Sequence, residues 1–389
     1  MKSLVIFSGG RGSNTLLKSL FLIKKKLNIS TIINMYDDGK SSGMVRSLFN
    51  MPGPSDARKI QSTFLKNKKK TSKYKEDLFN LRISTTYLIF KKEINNFLNS
   101  NQSKIFGIII SNSLFKRKIK LYLKKFIMLL GNKFINSHDI SFMNIIYVGA
   151  YFHHERNINL AIQKISDLFE IKNEIVSCGQ KNLYLSGINS QNKIFYTEEE
   201  IVEQRSNTNM KKIFLTNKRL DKVNFKNFKN NIKIKKIKNL SSRDTISKEA
   251  KRLINSADVI IYSPGTPYSS LYPSYYVKGL GKEICNNKNA KKIMITNIGS
   301  DYETPKFSSN DYIKNTIDYL NFDYKYDAHS YITHCLINNP TSHKNYYVKP
   351  LVYKKFRNSF EIYEDNFEET HKQGVHSPVK LAKILNKII

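Results

Sequence analysis

Short apolar runs alternate with polar, glycine-bearing loops and with segments whose leucines recur at helical spacing. In "SLVIFSGGRGSNTLLKSL" (3–20), Leu4, Val5, Ile6 and Phe7 form the run of a strand buried on both faces, and Leu16, Leu17 and Leu20 then fall on one helical face. "TIINMY" (31–36) predicts a second buried strand that ends in the polar loop "DDGKSSG" (37–43). "SDARKIQSTFL" (55–65) predicts a helix capped by Ser55, with Asp56 in its first turn. Residues 66–135 are rich in Lys and long aliphatics and read as a mostly helical insertion. Within it "FGIIIS" (106–111) is too short for periodicity to separate strand from helix.

"SFMNIIYVGAYF" (141–152) and "NINLAIQKISDLF" (157–169) read as further helices, and "KNLYLSG" with "NKIFYT" as an antiparallel, hairpin-like excursion. The strand–helix rhythm resumes with a helix at 243–256, strands at 258–262 and 291–297, and a closing helix at 376–388. The expected fold is α/β: a Rossmann-like, doubly wound, mainly parallel sheet with a helical insertion and a small antiparallel excursion, in one domain spanning 1–389. Ligands of such folds sit beyond the carboxyl ends of the strands.

Composition narrows the class. The chain has 389 residues, 40% of them hydrophobic, enough for a large core. No signal-peptide pattern and no long uninterrupted apolar stretch occur, so the expectation is a soluble cytoplasmic protein without a membrane span. Cys178, Cys285 and Cys335 lie far apart, form no CxxC pair, and read as packing residues in a reducing compartment. The net charge of +34 raises nucleic acid as a partner. Lys, Asn and Ile recur throughout, however, as A/T-biased codons produce, and no nucleic-acid motif accompanies the charge. Nucleic acid therefore ranks last. His153 and His154 are adjacent on a helical pattern and so point apart, which disfavours a metal role.

Four strand-end loops carry the chemistry. Gly9, Gly10 and Gly12, with Ser13 and Asn14 at a helix start, allow backbone N–H groups to approach a phosphate, although the spacing is not a P-loop. Asp37 and Asp38 follow a buried strand and suit a divalent cation or a sugar hydroxyl, with Ser41 and Ser42 as further donors. Ser55, Arg58 and Lys59 bring a helix start and two cations to one place. Pro264, Gly265, Thr266 and Ser269 form a second strand-to-helix turn with hydroxyl and N–H donors.

Together, "SGGRGSNTLL", "YDDGKSSGMVRSL", "GPSDARK" and "ADVIIYSPGTPYSSLYPSYYVKGLGKEI" resemble the motif set of the CofD-like superfamily, which contains 2-phospho-L-lactate transferases and YvcK-type gluconeogenesis factors. "DISFMNIIYVGAYF", with Asn144, and "ITNIGSDYETPKFSSNDYI", with Asn297, Glu303 and Thr304, are similar to further family segments. Met143 and Tyr302 stand where the family has glycine. The resemblance implies a nucleotide or nucleotide-sugar phosphate between the 9–14 and 264–270 loops. In the transferase branch, a nucleoside-diphosphate-type donor passes a phosphate-ester group to a hydroxyl acceptor. Asp37 or Asp38 would then hold Mg²⁺ or orient the acceptor, and Arg58 would neutralise phosphate. In the YvcK-type branch, the pocket binds a UDP-sugar and serves regulation of carbon metabolism or cell-envelope synthesis without turnover. A homodimer is compatible with either.

Overall fold

The computed structural model describes residues 1–9, 12–68, 71–100, 102–340 and 346–389. Its centre is a seven-stranded sheet of β1 (Lys2–Ser8), β2 (Leu27–Ile33), β3 (Ile175–Ser177), β4 (Val259–Tyr262), β5 (Lys291–Ile295), β6 (His334–Asn338) and β7 (Glu361–Asp365). The strand order is β7-β6-β5-β4-β1-β2-β3, and every pairing is parallel. This is the Rossmann order extended by one strand, and the chain reverses its direction of winding between β1 and β4.

Alternate residues of the strands feed two cores. Leu4, Ile6, Ile29, Val259, Ile261 and Ile293 face one side, with Leu16, Leu17 and Leu20 of α1 (Gly12–Leu22) and Leu381 and Leu385 of the last helix (Pro378–Ile388). Val5, Phe7, Ile32, Ile260, Tyr262 and Met294 face the other, against Leu253, Leu280, Ile313 and Ile317. A sheet buried on both faces needs apolar residues at successive positions, which is why these strands read as unbroken runs rather than alternating ones. Each such side chain, fully buried, contributes about 1.5–3 kcal/mol.

Several boundaries differ from expectation. β2 begins at Leu27 and ends at Ile33, because Leu27 and Asn28 already pair with Lys2 and Ser3. The loop after it is correspondingly longer on its strand side, and it stops sooner, since α2 (Lys40–Phe49) already contains Ser41 and Ser42. α3 (Ser55–Lys66) starts after Pro54, and Ser55 is its first residue, not its cap. The helix expected at 243–256 forms only over Lys248–Asn255, where the Ser247 hydroxyl accepts the Ala250 N–H. The "SPGTPYSS" loop closes as a wide helical turn over Pro267–Leu271.

The Lys-rich insertion is largely helical, with helices Lys73–Asn80, Tyr87–Asn99 and α4 (Ser113–Leu130). "FGIIIS" resolves as a hairpin of Lys104–Ile105 and Ile108–Ile109, turned by Phe106 and Gly107 at φ 45° and 82°. α5 (Phe142–His153) returns the chain to the core. The excursion is a three-stranded antiparallel sheet of Tyr184–Asn189, Ile194–Phe195 and Met210–Thr216, with the third strand unforeseen. No helix among the described residues is long and apolar enough to cross a membrane. The three cysteines are buried and unpaired.

Candidate functional site

A cleft of about 670 Å³ opens at the carboxyl ends of β1 and β4, where the winding reverses. Gly12, Asp37, Lys59, Pro264, Gly265, Thr266, Ser269, Asn297 and Glu303 line it, all expected from the sequence. The two glycine-bearing turns touch backbone to backbone. A Cβ on Gly12 would stand 2.7 Å from the carbonyl carbon of Pro264 and closer still to its oxygen, and one on Gly265 would run into the carbonyl oxygen of Gly9.

Side chains fix this contact. The Gly9 N–H donates to Ser13 Oγ at 2.8 Å, Ser13 Oγ and Ser263 Oγ are 2.9 Å apart, and Asn297 Oδ1 accepts the Gly265 N–H at 2.9 Å. Ser13 is therefore a buried tie between the turns, not a donor to a ligand in the cleft. Asn14 faces α3, accepting from Thr63 Oγ1 at 2.8 Å. Gly10 lies outside the described residues.

The two aspartates part company. Asp37 faces the cleft, and Asp38 is buried, with Arg46 at 3.5 Å and Arg219 at 3.3 Å. Successive residues of an extended loop point to opposite sides, so only one of the pair can serve a ligand in this cleft. Asp38 instead lines a second cavity of about 390 Å³, together with Lys40, Ser41, Ser47, His138, Asp139 and Arg219. Of the two residues either of which was expected to hold Mg²⁺, Asp37 is the one that lines this cleft. Asp37's neighbour across the cleft is Asp56, and both approach the Lys59 ammonium, at 3.8 and 3.0 Å.

Other expected residues are structural. Ser42 and Ser55 join their hydroxyls, which ties the starts of α2 and α3 together. Ser41 Oγ accepts from the Ser141 N–H at 3.1 Å and from Asn144 Nδ2 at 2.9 Å, so Asn144 supports α2 from within the core. Thr304 is fully buried, with its hydroxyl 2.8 Å from Tyr312 OH. Arg58 lines neither cavity. Its buried Nε has no partner among the described residues, and burial together with Arg82 depresses its pKa.

Glu303 changes the reading of the second turn. Its carboxyl accepts the N–H groups of Tyr268 at 2.7 Å and Ser269 at 3.1 Å, so two donors of the turn expected to meet an anion are already occupied. Sequence reading also passed over Thr15, Asp56, Glu198, Asp301, Lys372 and His376, all in the cleft wall. Asp56 sat inside a quoted motif and Glu198 in the run "TEEE". Lys372 and His376 arrive on a C-terminal hairpin that no local signal connects to β1. His154 lies 3.3 Å from Tyr122 OH and meets the His153 ring edge to face, 4.8 Å between centroids, so the two adjacent histidines do not point apart as expected. Among the described residues no group of three or more His, Cys, Asp or Glu is placed to hold a metal ion.

The cleft is acidic at its floor. Burial, reinforced by Asp37, pushes the Glu198 carboxyl up to about 8. Burial, reinforced by Asp301, pushes Glu303 up to about 8 as well. Burial raises Asp56 against the pull of Lys59, and Asp56 in turn raises Lys59. Unfolded glutamates ionise near pH 4.3, so the stability these two groups contribute is complete below about pH 4.3 and is lost as pH rises to about 8. Melting temperature is expected to fall across that window. Glu198→Gln combined with Glu303→Gln should flatten the slope in a buffer series, and an unchanged slope would refute the assignment.

An open α/β sheet with paired glycine turns at its point of reversal and a cleft above them defines a Rossmann-like fold, with the cleft at the place where such folds take their ligands. Within that class, the chain belongs to the CofD family: the model described as "2-phospho-L-lactate transferase CofD" matches residues 4–379. Curated relatives include the gluconeogenesis factor of Bacillus subtilis, 23% identical over 312 residues (80% of this chain, 73% of that one). The gluconeogenesis factor of Listeria innocua is 23% identical over 374 residues (96% and 86%). A crystal structure of a UPF0052 family member from Bacillus halodurans superposes with a TM-score of 0.63 at 17% identity, covering 99% of both chains, which shows the shared fold.

Proposed function

We propose that the cleft binds a nucleoside diphosphate or nucleotide sugar and that the protein acts as a regulator of the gluconeogenesis-factor type. The observation that carries the nucleotide reading is the backbone contact of the Gly9–Gly12 and Pro264–Gly265 turns at the reversal between β1 and β4, where parallel α/β sheets take phosphates. The regulatory reading draws support from the names of the curated relatives. It also draws support from Asp38, whose two arginine partners remove it from the cleft chemistry that a transferase would require of it.

A transferase reading rests on one different observation: Asp37 and Asp56 already share a cation, the Lys59 ammonium. The two carboxylates fit a divalent cation in its place, and they would hold Mg²⁺ there. Such an ion would offset the negative charge of a diphosphate above an acidic floor. Lys59 would then be free to meet a phosphoryl oxygen, and Asp37 would be positioned to orient an acceptor hydroxyl.

Calorimetric titration with UDP-sugars and GDP, with and without Mg²⁺, tests the binding. Asp37→Asn is expected to cost roughly tenfold in affinity, about 1.4 kcal/mol, when Mg²⁺ is present, and to leave metal-free binding equal or tighter through reduced repulsion. Equal losses in both conditions would place Asp37 outside the cation's reach. Phosphorus NMR with a hydroxyl-acceptor library separates the two readings. Release of nucleoside monophosphate, abolished by Asp37→Asn, would establish the transferase and overturn the regulator.

A further inference from the structure

Helix α4 has two unlike faces. Phe115, Ile119, Tyr122, Leu123, Phe126 and Leu130 are buried against the core, which leaves the opposite face to solvent. That face is not wholly polar. Leu114 is 64% exposed, Leu121 42% and Met128 64%, at seven-residue spacing, so three large aliphatic side chains form one stripe about 21 Å long at 1.5 Å per residue. Arg117, Lys118 and Lys124 are exposed on the same face, at helical spacing from the stripe. The 18-residue helix carries Lys116, Arg117, Lys118, Lys120, Lys124 and Lys125 and no Asp or Glu. Arg117, Lys118 and Lys124 have no ion-pair partner among the described residues.

We infer that this face of α4 docks on an anionic lipid surface, with Leu114, Leu121 and Met128 entering the headgroup boundary and Arg117, Lys118 and Lys124 meeting the phosphates. Charge complementarity selects the occupant. A second copy of this chain would set one cationic face against another, in a protein of net charge +34. Single-stranded nucleic acid is gripped by stacking aromatics between cations, and the exposed side chains of this stripe are aliphatic. A basic helix face with unpartnered aliphatics matches the pattern of helices that lie in a membrane interface, and nothing in it requires a span.

The test uses the full chain and an environment-sensitive dye on Leu121→Cys, which is selective because the three native cysteines are buried. Vesicles of phosphatidylcholine with about 30 mol% phosphatidylglycerol should shift the dye emission to the blue, and phosphatidylcholine alone should not. Val223→Cys, at a site 73% exposed and flanked by Lys222, reports contact through charge alone and should show no shift. In co-sedimentation with the same vesicles, the Leu114→Asn/Leu121→Asn/Met128→Asn variant should bind roughly tenfold more weakly with its charge intact. Undiminished sedimentation of that variant, or an equal shift at Val223→Cys, would overturn the proposal. So would a blue shift with polyuridylate in place of vesicles, or wild-type dimers that the apolar variant converts to monomers.

Discussion

Gly12→Ala is expected to weaken nucleotide binding on the order of a hundredfold, about 2.7 kcal/mol, and to lower stability by about 1–3 kcal/mol. The methyl group would arrive 2.7 Å from the carbonyl carbon of Pro264, and closer still to its oxygen. Both are backbone atoms in a turn that Asn297 locks from the other side, so neither can rotate away. The turns would have to separate, which would deform the cleft at the place proposed for the phosphate. Gly265→Ala should behave alike, because its Cβ would meet the Gly9 carbonyl oxygen. Gly39→Ala is the matched control. Its Cβ would find only Asp37 Oδ1, at 3.9 Å, and its φ of −62° suits any residue, so affinity should stay within a factor of two or so of wild type. Calorimetry and thermal melts on the three variants decide. Wild-type affinity in a folded Gly12→Ala protein would remove the phosphate site from these turns.

The parts of this site that were legible in the sequence are those whose information is local. β1, β4 and the Pro264–Gly265 turn could be read because a doubly buried strand is an apolar run, and glycine marks a close backbone approach. β3, with three residues, is too short to show a pattern, and β7, "EIYED", is an edge strand whose Glu and Asp face outward and mask it. The strand order rests on pairings as distant as Leu4 with Val259, which no window of sequence encodes. Although adjacency does not part His153 and His154, whose ring centroids lie 4.8 Å apart, it sends Asp37 and Asp38, either of which was expected to hold Mg²⁺, to different cavities. Glu198 and Glu199 repeat the pattern, one in the large cleft and the other in the smaller cavity beside Asp38. Glu303 was placed near the site by resemblance, but that it would occupy the Tyr268 and Ser269 N–H groups depends on a loop closing onto a helix start from elsewhere in the chain.

Arg46 was the least legible residue of all, since a lone cation within a helical pattern reads as surface, and it carries the second large effect. It has no exposed surface. Its guanidinium donates to the carbonyls of Tyr36 (2.9 Å), Asp37 (3.3 Å) and Leu183 and to Asn182 Oδ1 (3.1 and 3.3 Å), faces Asp38, and stacks 4.4 Å from the Tyr184 ring centroid. It therefore holds the strand-end loop that aims Asp37 into the cleft, and it joins that loop to the antiparallel sheet. Arg46→Met should cost about 3–5 kcal/mol, because it leaves several buried carbonyls without a donor and the buried Asp38 carboxyl with the half-exposed Arg219 as its one remaining arginine partner. Arg46→Lys should recover only part of this, since a point charge cannot replace a five-donor fork. The Asp38 carboxyl, raised by burial against the pull of Arg46 and Arg219, separates the two contributions to the loss. If the uncompensated charge dominates, Asp38→Asn on the Arg46→Met background should be less damaging than the sum of the single changes, with coupling of about 1 kcal/mol or more in a denaturant-unfolding cycle. Strict additivity would mean that Arg46 acts through the carbonyls alone. In either case ligand affinity should fall along with stability, and a folded Arg46→Met protein that binds nucleotide as wild type does would break the link between this arginine and the orientation of Asp37.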